Sequence, residues 1–113
     1  MQVKFWGVRG STPTPQAENL RYGGNTSCVE VRVKDQIYIF DCGTGFRMLG
    51  HELTREFGNR PFAAHIFVSH FHWDHIQGMP FFRPLYENPG SRFSFHSSGK
   101  TRGIQQVMAE QMA

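Results

Sequence analysis

The stretch that decides the fold is His70-Phe71-His72-Trp73-Asp74-His75, which carries three imidazoles and one carboxylate within six residues and follows an apolar run. Neutral imidazole and carboxylate are the ligand types that Zn²⁺ and the harder ions Mn²⁺ and Fe²⁺ accept in proteins. Such groups would be costly to crowd together without a cation to offset them. The stretch therefore predicts a metal site whose ligands are His70, His72, Asp74 and His75.

The spacing of these residues favours two metals. Side chains two apart in an extended chain point the same way, so His70 and His72 can converge on one cation. Asp74 and His75 cannot follow that alternation, and a helical turn beginning at Trp73 would direct both to a second point nearby. Two metals at such points can share a bridging water or hydroxide, which is a nucleophile available at neutral pH. The run therefore predicts hydrolytic chemistry.

The remaining histidines are expected to be structural. His51 lies within a predicted helix and is assigned to the surface. His65 opens a predicted strand and His96 closes another, so both are assigned to structural hydrogen bonds, with His96 as the spare metal ligand. Asp41 precedes a helix, where it can either bind a ligand histidine and fix its tautomer or cap the helix, and the sequence leaves both roles open.

Composition restricts the class of protein. The chain has 113 residues, of which 39% are hydrophobic and 19% are charged, so we expect one soluble domain or part of one. No apolar run approaches the ~20 residues of a membrane span, and no secretory pattern is present, so we expect no membrane partner and a cytoplasmic location. Cys28 and Cys42 are expected to be buried thiols. The net charge of +3 suits an anionic substrate and only weakly suggests nucleic acid, since the basic residues form no run.

Local patterns predict an α/β layered architecture. The metal-ligand stretch would follow a short apolar strand that is buried on both faces. A glycine-rich turn at 41–45 leads into a helix of roughly three turns that Gly58 ends. The predicted strands are 2–7, then 26–33 and 36–41 as a hairpin turning at Lys34-Asp35, then 66–68 and 92–96, with an amphipathic helix over the last fourteen residues.

Four blocks of the sequence resemble the metallo-β-lactamase fold, and more narrowly its phosphodiesterase and ribonuclease-Z-like branch. They occur in the same order and cover most of the chain. The blocks are Phe5-Trp6-Gly7-Val8-Arg9-Gly10-Ser11, Gly23-Gly24-Asn25-Thr26-Ser27-Cys28, Asp41-Cys42-Gly43-Thr44-Gly45, and the stretch from His70 to His75 followed by Ile76-Gln77-Gly78.

The resemblance implies an αββα sandwich that holds two metals, usually Zn²⁺ and in some members Mn²⁺ or Fe, and that hydrolyses phosphodiesters or other esters. His70 and His72 would bind the first metal, and Asp74 and His75 the second. In ribonuclease-Z-like members the motif aspartate is also the proton-accepting residue, so the resemblance assigns Asp74 a catalytic role.

Members of this family run to roughly twice this length. Their second half supplies a further histidine to the first metal, an aspartate that bridges both metals, and a last histidine to the second. Residues 1–113 would thus form the N-terminal half of the domain, one mixed sheet with flanking helices, and its inner face would be bare. A complementing C-terminal half, a second copy in a homodimer, or the rest of a longer enzyme could cover that face.

Two functions follow from this reading. The first is a metal-dependent hydrolase of phosphodiesters or small anionic esters that acts through a metal-bridging hydroxide and is incomplete or weakly active as this chain alone. The alternative is a non-catalytic metal-binding or assembly module that pairs with a partner chain or with itself.

The ligand assignment has a direct test. Replacing both His70 and His72 by Ala should abolish metal binding at the first position, because two of its ligands are removed together. Elemental analysis of the purified chain measures the metal stoichiometry, and an unchanged value would refute the assignment.

Overall fold

A computed structural model describes residues 1–9, 24–69 and 72–97 of the chain, with the side chain of Trp73 excepted. Its elements confirm the predicted α/β organisation. The strands are β1 (Gln2–Gly7), β2 (Cys28–Val33), β3 (Gln36–Phe40), β4 (Ala63–Val68) and β5 (Arg92–Ser97). The helices are α1 (Thr44–Phe57), α2 (Trp73–Ile76) and α3 (Pro84–Glu87), with a 3₁₀ turn at Met79–Phe81 between the last two.

The boundaries differ from the sequence-based expectation at a few points. Helix α1 has 14 residues and so is longer than the three turns expected, and strand β4 begins three residues earlier than its apolar centre suggested. The predicted C-terminal helix lies outside the described residues.

None of the helices in the described part of the chain is long and apolar enough to cross a membrane.

The five strands form one mixed sheet in the order β1-β2-β3-β4-β5. Strands β1, β2 and β3 are antiparallel, and β2 and β3 form the predicted hairpin, with Lys34 at φ 55° in its turn. Strands β3, β4 and β5 are parallel, with α1 in the connection from β3 to β4. The carboxyl ends of β3 and β4 therefore meet at one edge of the sheet, which is where ligand sites form in open α/β sheets.

The core lies between one face of the sheet and α1. Phe46, Leu49 and Leu53 recur at helical spacing on α1 and are fully buried, as the periodicity predicted. The proline-broken segment after α2 closes this layer, since the ring of Phe82 stacks on Phe46 with centroids 3.9 Å apart. The other buried apolar side chains are Cys28, Ile37, Ile39, Cys42, Ala64, Ile66, Val68, Ile76 and Met79.

Both cysteines are buried free thiols, as expected. Burial raises the pKa of Cys28 and that of Cys42 well above the ordinary value for a thiol. Because the thiolate is the reactive form, these two residues act as small apolar side chains of the core.

The opposite face of the sheet is apolar and, among the described residues, no helix or strand covers it. The strand register aligns two rows of side chains across all five strands on this face. Phe5 is 67% exposed and Phe40 is 41% exposed, and β4 is buried on one face only, contrary to the expectation of burial on both. The rows are Phe5, Val29, Phe40, Phe67 and His96, and Val3, Val31, Tyr38, His65 and Ser94.

A chain of polar contacts fastens the edge strand β1 to β2 and α1. The indole Nε1 of Trp6 donates to Glu30 Oε1 at 3.0 Å, and Arg32 Nε donates to Glu30 Oε2 at 2.6 Å. The two terminal nitrogens of Arg32 then bind the carboxylate of Glu56 on α1 at 2.7 and 2.6 Å. Glu30 is only 5% exposed, so these partners offset the cost of burying its charge.

The ion pair between Arg32 and Glu56 should make stability depend on pH. The hydrogen bond from Arg32 holds the pKa of Glu56 below its ordinary value of 4.5, so the pair stabilises the fold above that pH. This contribution is lost as pH falls through the lowered pKa of the folded state. Glu56→Gln should lower the free energy of unfolding at pH 7 by about 0.5 kcal/mol, a small value because both side chains are partly exposed.

Urea denaturation at pH 7 and at pH 3 measures this effect, and the difference between variant and parent should shrink at the lower pH. Glu52→Gln is the matched control, since Glu52 pairs at 2.8 Å with Arg55, whose side chain is 80% exposed. An equal pH dependence for parent and Glu56→Gln would contradict the assignment.

Candidate metal centre

Asp41 lies at the carboxyl end of β3 and is buried. Its backbone is left-handed, with φ 70°, a conformation that aspartate tolerates better than most residues. Its carboxylate accepts hydrogen bonds from the Ser69 amide at 2.7 Å and from Ser69 Oγ at 2.9 Å. The N-cap of α1 is Gly43, with no side-chain capping bond, so Asp41 does not cap the helix.

The Asp41 carboxylate binds a predicted metal ligand instead. Its Oδ2 lies 3.1 Å from Nδ1 of His75, which is the first of the two roles that the sequence left open. The other ring nitrogen of His75, Nε2, lies 3.3 Å from Oδ2 of Asp74. Asp41 thus favours the tautomer with hydrogen on Nδ1, the arrangement by which a carboxylate orients a ligand histidine.

This arrangement fits a cation. With hydrogen on Nδ1, the Nε2 atom of His75 carries a lone pair toward the Asp74 carboxylate, and two acceptors repel one another at such a distance. A proton on Nε2 or a metal ion held by both groups removes that repulsion. Imidazole nitrogen and carboxylate oxygen together are a donor set that Zn²⁺, Mn²⁺ and Fe²⁺ accept.

Of the other two predicted ligands, the described residues include only His72. His72 is exposed and immediately precedes α2, where its carbonyl accepts the His75 amide at 2.9 Å. His70 lies outside the described residues. Within residues 1–9, 24–69 and 72–97, no three His, Cys, Asp or Glu side chains come together as a metal cluster. The structure shows two pairwise contacts of His75, one with Asp41 and one with Asp74, and the four-ligand, two-metal set stays a prediction.

Two loops hold the ligand turn in place. The Cys42 amide donates to the His75 carbonyl at 2.8 Å, and the Gly78 amide donates to the Cys42 carbonyl at 2.9 Å. Cys42 and Gly43 belong to the loop after β3, and on the other side of this loop the Gly43 amide donates to the Ser27 carbonyl at 2.9 Å. The loop after β3 is therefore bound between the loop before β2 and the turn that carries Asp74 and His75, and three of the four sequence blocks meet here.

The three remaining histidines lie away from this turn. His65 Nδ1 and His96 Nε2 are 3.3 Å apart on the uncovered sheet face, which confirms their assignment to structural hydrogen bonding. The ring of His96 also stacks on Phe67, with centroids 4.8 Å apart. His51 is half-buried on α1, whereas the sequence assigned it to the surface.

A cavity of about 300 Å³ opens from the ligand region toward the uncovered face. Asp41 and Ser69 form its polar end, and the serine is a residue that sequence reasoning missed as part of the site. Its position directly before the metal-ligand stretch was the signal that could have found it. The cavity is lined by Phe40, Asp41, Phe67, Val68, Ser69, His96 and Ser97.

Comparison with known proteins finds ribonucleases Z. The chain is 32% identical over 111 residues to ribonuclease Z of Haloarcula marismortui, a match that covers 96% of this chain and 32% of that protein. It is 33% identical over 106 residues to ribonuclease Z of Prochlorococcus marinus MIT 9303, a match that covers 92% of this chain and 27% of that protein. It is 35% identical over 80 residues to ribonuclease Z of Methanosarcina mazei, a match that covers 71% of this chain and 23% of that protein. No family model matches the chain.

Among solved structures, a Thermotoga maritima protein described as a metallo-β-lactamase aligns with a TM-score of 0.42 at 20% identity, covering 81% of this chain and 41% of that one. The five-stranded mixed sheet and the matches to the ribonucleases Z together identify this chain as a segment of the metallo-β-lactamase fold. Within that class its sequence is ribonuclease-Z-like. The chain spans about a third or less of the length of the curated relatives it matches.

The contact between two of the loops leaves no room for a side chain at Gly78. A methyl group there would overlap the carbonyl oxygen of Gly43, a rigid backbone atom. Gly78→Ala should therefore lower the free energy of unfolding by about 2 kcal/mol, the usual cost of overpacking. Urea denaturation checks this value against Gly90→Ala, whose methyl would meet the ring of Pro61 at 3.1 Å and should cost less. Equal losses for both variants would contradict the account of the loop contact.

Proposed function

We propose that this chain carries part of the metal centre of a phosphodiester hydrolase, with His70, His72, Asp74 and His75 as its metal ligands. The observation that supports the proposal most directly is the alignment of Asp41, His75 and Asp74. One carboxylate orients the imidazole through Nδ1, and a second carboxylate lies 3.3 Å from Nε2. This is the arrangement that a cation needs for binding.

The proposed metal is Zn²⁺ at one or two positions, with Mn²⁺ or Fe as alternatives. When bound, a divalent cation of this kind supplies a nucleophilic water at neutral pH and offsets the charge of a phosphate. The half-buried position of Asp74 and His75, next to buried Asp41, lowers the local dielectric and so strengthens the attraction of the carboxylates for a cation.

The chain's own residues have distinct tasks in this proposal. Asp41 holds the proton on Nδ1 of His75, and Ser69 fixes the Asp41 carboxylate through its amide and hydroxyl. His75 is thereby oriented with Nε2 toward the metal position. Asp74 is a ligand in this proposal, with its Oδ2 3.3 Å from Nε2 of His75. The resemblance to ribonuclease-Z-like proteins makes it also the candidate proton acceptor.

The proposed substrate is a phosphodiester or a related anionic ester. The named relatives are ribonucleases, whose substrate is an RNA phosphodiester, and this supports the same class of bond here. The net charge of +3 is compatible with an anionic substrate, including nucleic acid. The cavity beside Asp41 and Ser69 offers about 300 Å³ next to the ligand turn.

Full activity requires a partner or further chain in this proposal. Among the described residues, no helix or strand covers the apolar face on which Phe5 is 67% exposed and Phe40 is 41% exposed. An uncovered apolar surface of this kind marks a site of contact with another segment or chain. A complementing C-terminal half, or a second copy as a homodimer, would cover it and contribute the missing ligands. We place the protein in the cytoplasm, where the two free thiols would stay reduced.

The alternative is a non-catalytic metal-binding or assembly module. The same uncovered face favours it, because a module of that kind needs a surface for its partner. The two functions differ in turnover and in the mass of the species that forms.

One experiment tests both functions. Elemental analysis gives the metal content, light scattering gives the mass, and hydrolysis of bis-p-nitrophenyl phosphate gives the turnover of the chain with added Zn²⁺ or Mn²⁺. We expect bound metal and slow metal-dependent hydrolysis, both reduced at least tenfold by His75→Ala because a metal ligand is lost. His51→Ala, a histidine on α1 outside the site, is the matched control and should change neither.

The other outcomes are equally informative. Metal binding in one complex of defined mass, without turnover, would support the assembly module and contradict hydrolysis by this chain. Metal binding that survives His75→Ala unchanged would contradict the ligand assignment. A chain that binds no metal would overturn both functions.

A further inference from the structure

The side chain of Gln77 connects the metal-ligand turn to a distant part of the chain. Gln77 directly follows α2 and is only 8% exposed, and its Nε2 donates to Thr26 Oγ1 at 3.1 Å. Thr26 is fully buried and lies in the loop before β2, 51 residues away. A buried amide must be hydrogen-bonded to avoid a desolvation penalty, so this contact fixes the rotamer of Gln77.

Thr26 is itself held by a reciprocal pair of bonds. The Thr44 amide donates to Thr26 Oγ1 at 2.8 Å, and the Thr26 amide donates to Thr44 Oγ1 at 2.8 Å. Thr44 is the first residue of α1, and the N-cap before it offers no side-chain bond. Thr26 Oγ1 therefore satisfies a free amide at the start of the helix as well as the amide of Gln77.

Helix α2 cannot fix the direction of its own side chains. It has four residues, which is a single turn, and one turn of helix is unstable in isolation. The direction of Asp74 and His75 therefore depends on tertiary contacts at both ends of the turn. His75 is held by Asp41 and by the backbone bond from Cys42, and the end after Ile76 is held by the side chain of Gln77.

We propose that Gln77 is a positioning residue for the metal centre. Its hydrogen bond to Thr26 Oγ1 anchors the end of α2 and so keeps Asp74 and His75 directed at one point. This inference rests on the proposed function, since it requires a metal held by those two residues. In this proposal Gln77 acts through Asp74 and His75 and is not assigned as a ligand, since its side chain is directed to Thr26.

The test compares the metal affinity of isosteric variants of the full chain. Gln77→Met keeps the length and volume of the side chain but removes the donor, and Thr26→Val removes the acceptor. Each should weaken Zn²⁺ binding, measured by competition with a chromophoric chelator, by about tenfold or more, the usual effect of disturbing a group that orients a ligand. Thr26→Ser keeps the hydroxyl and should restore near-parent affinity.

Co²⁺ substitution adds a readout that a general loss of stability would not change. The visible absorption of bound Co²⁺ reports the geometry of its ligands, and it should be altered in Gln77→Met but not in the control Ile37→Val. Ile37 is buried near the start of β3, at the end of the strand away from Asp41, so its shortening should lower stability without changing the metal centre.

The outcomes separate this inference from the function on which it rests. Parent affinity and an unchanged Co²⁺ spectrum in Gln77→Met, with metal bound by the parent chain, would overturn the positioning role and leave the proposed function standing. Equal weakening in Ile37→Val would show a stability effect and would also overturn it. A parent chain that binds no metal would overturn both.

Discussion

The contact among three glycine-containing loops is the constraint on which the rest of this structure depends. The loop after β3 is hydrogen-bonded on one side to the loop before β2 and on the other to the turn at 75–78. Neither side leaves room for a side chain at Gly43 or Gly78, because backbone oxygens and the Thr26 hydroxyl occupy that space. The start of α1, the carboxyl end of β3 and the metal-ligand turn are therefore fixed relative to one another by one set of short-range contacts.

This contact links the fold to the chemistry. Asp41 adopts a left-handed backbone at the end of β3, and from there its carboxylate reaches Ser69 and His75 together. The same loop receives the backbone of the ligand turn, so the position of the imidazole and the position of its orienting carboxylate are set by one rigid unit. A four-residue helix can carry metal ligands only because its surroundings supply the order that it lacks by itself.

The two faces of the sheet differ in how far their side chains are buried. On the side of α1, the aliphatic and aromatic side chains are fully buried, and a buried glutamate has hydrogen-bonding partners. On the other side, two rows of largely apolar side chains remain partly exposed across all five strands, among the residues that the structure describes. The chain matches only 32% of the length of its Haloarcula marismortui relative.

Much of this architecture was predictable from local pattern. The alternation of polar and apolar residues predicted the hairpin of β2 and β3. The helical spacing of Phe46, Leu49 and Leu53 predicted α1, and Gly58 predicted the end of that helix. The ligand types and their spacing predicted a metal site with a helical turn at its second half, and α2 begins at the expected residue. These features depend on neighbours within a few positions, so the sequence alone can encode them.

What the tertiary structure decided involves residues that are far apart in the chain. The sequence could not choose between a capping and an orienting role for Asp41, because both roles place an aspartate before a helix, and only the approach of Ser69 and His75 settled it. It also gave no sign that Gln77 bonds Thr26 across 51 residues. By itself the sequence determined which side-chain types the candidate site contains, and from these it predicted a metal site. The packing of the three loops decided which side chains orient them, since hydrogen-bond partners at long separation are set by the fold and not by local pattern.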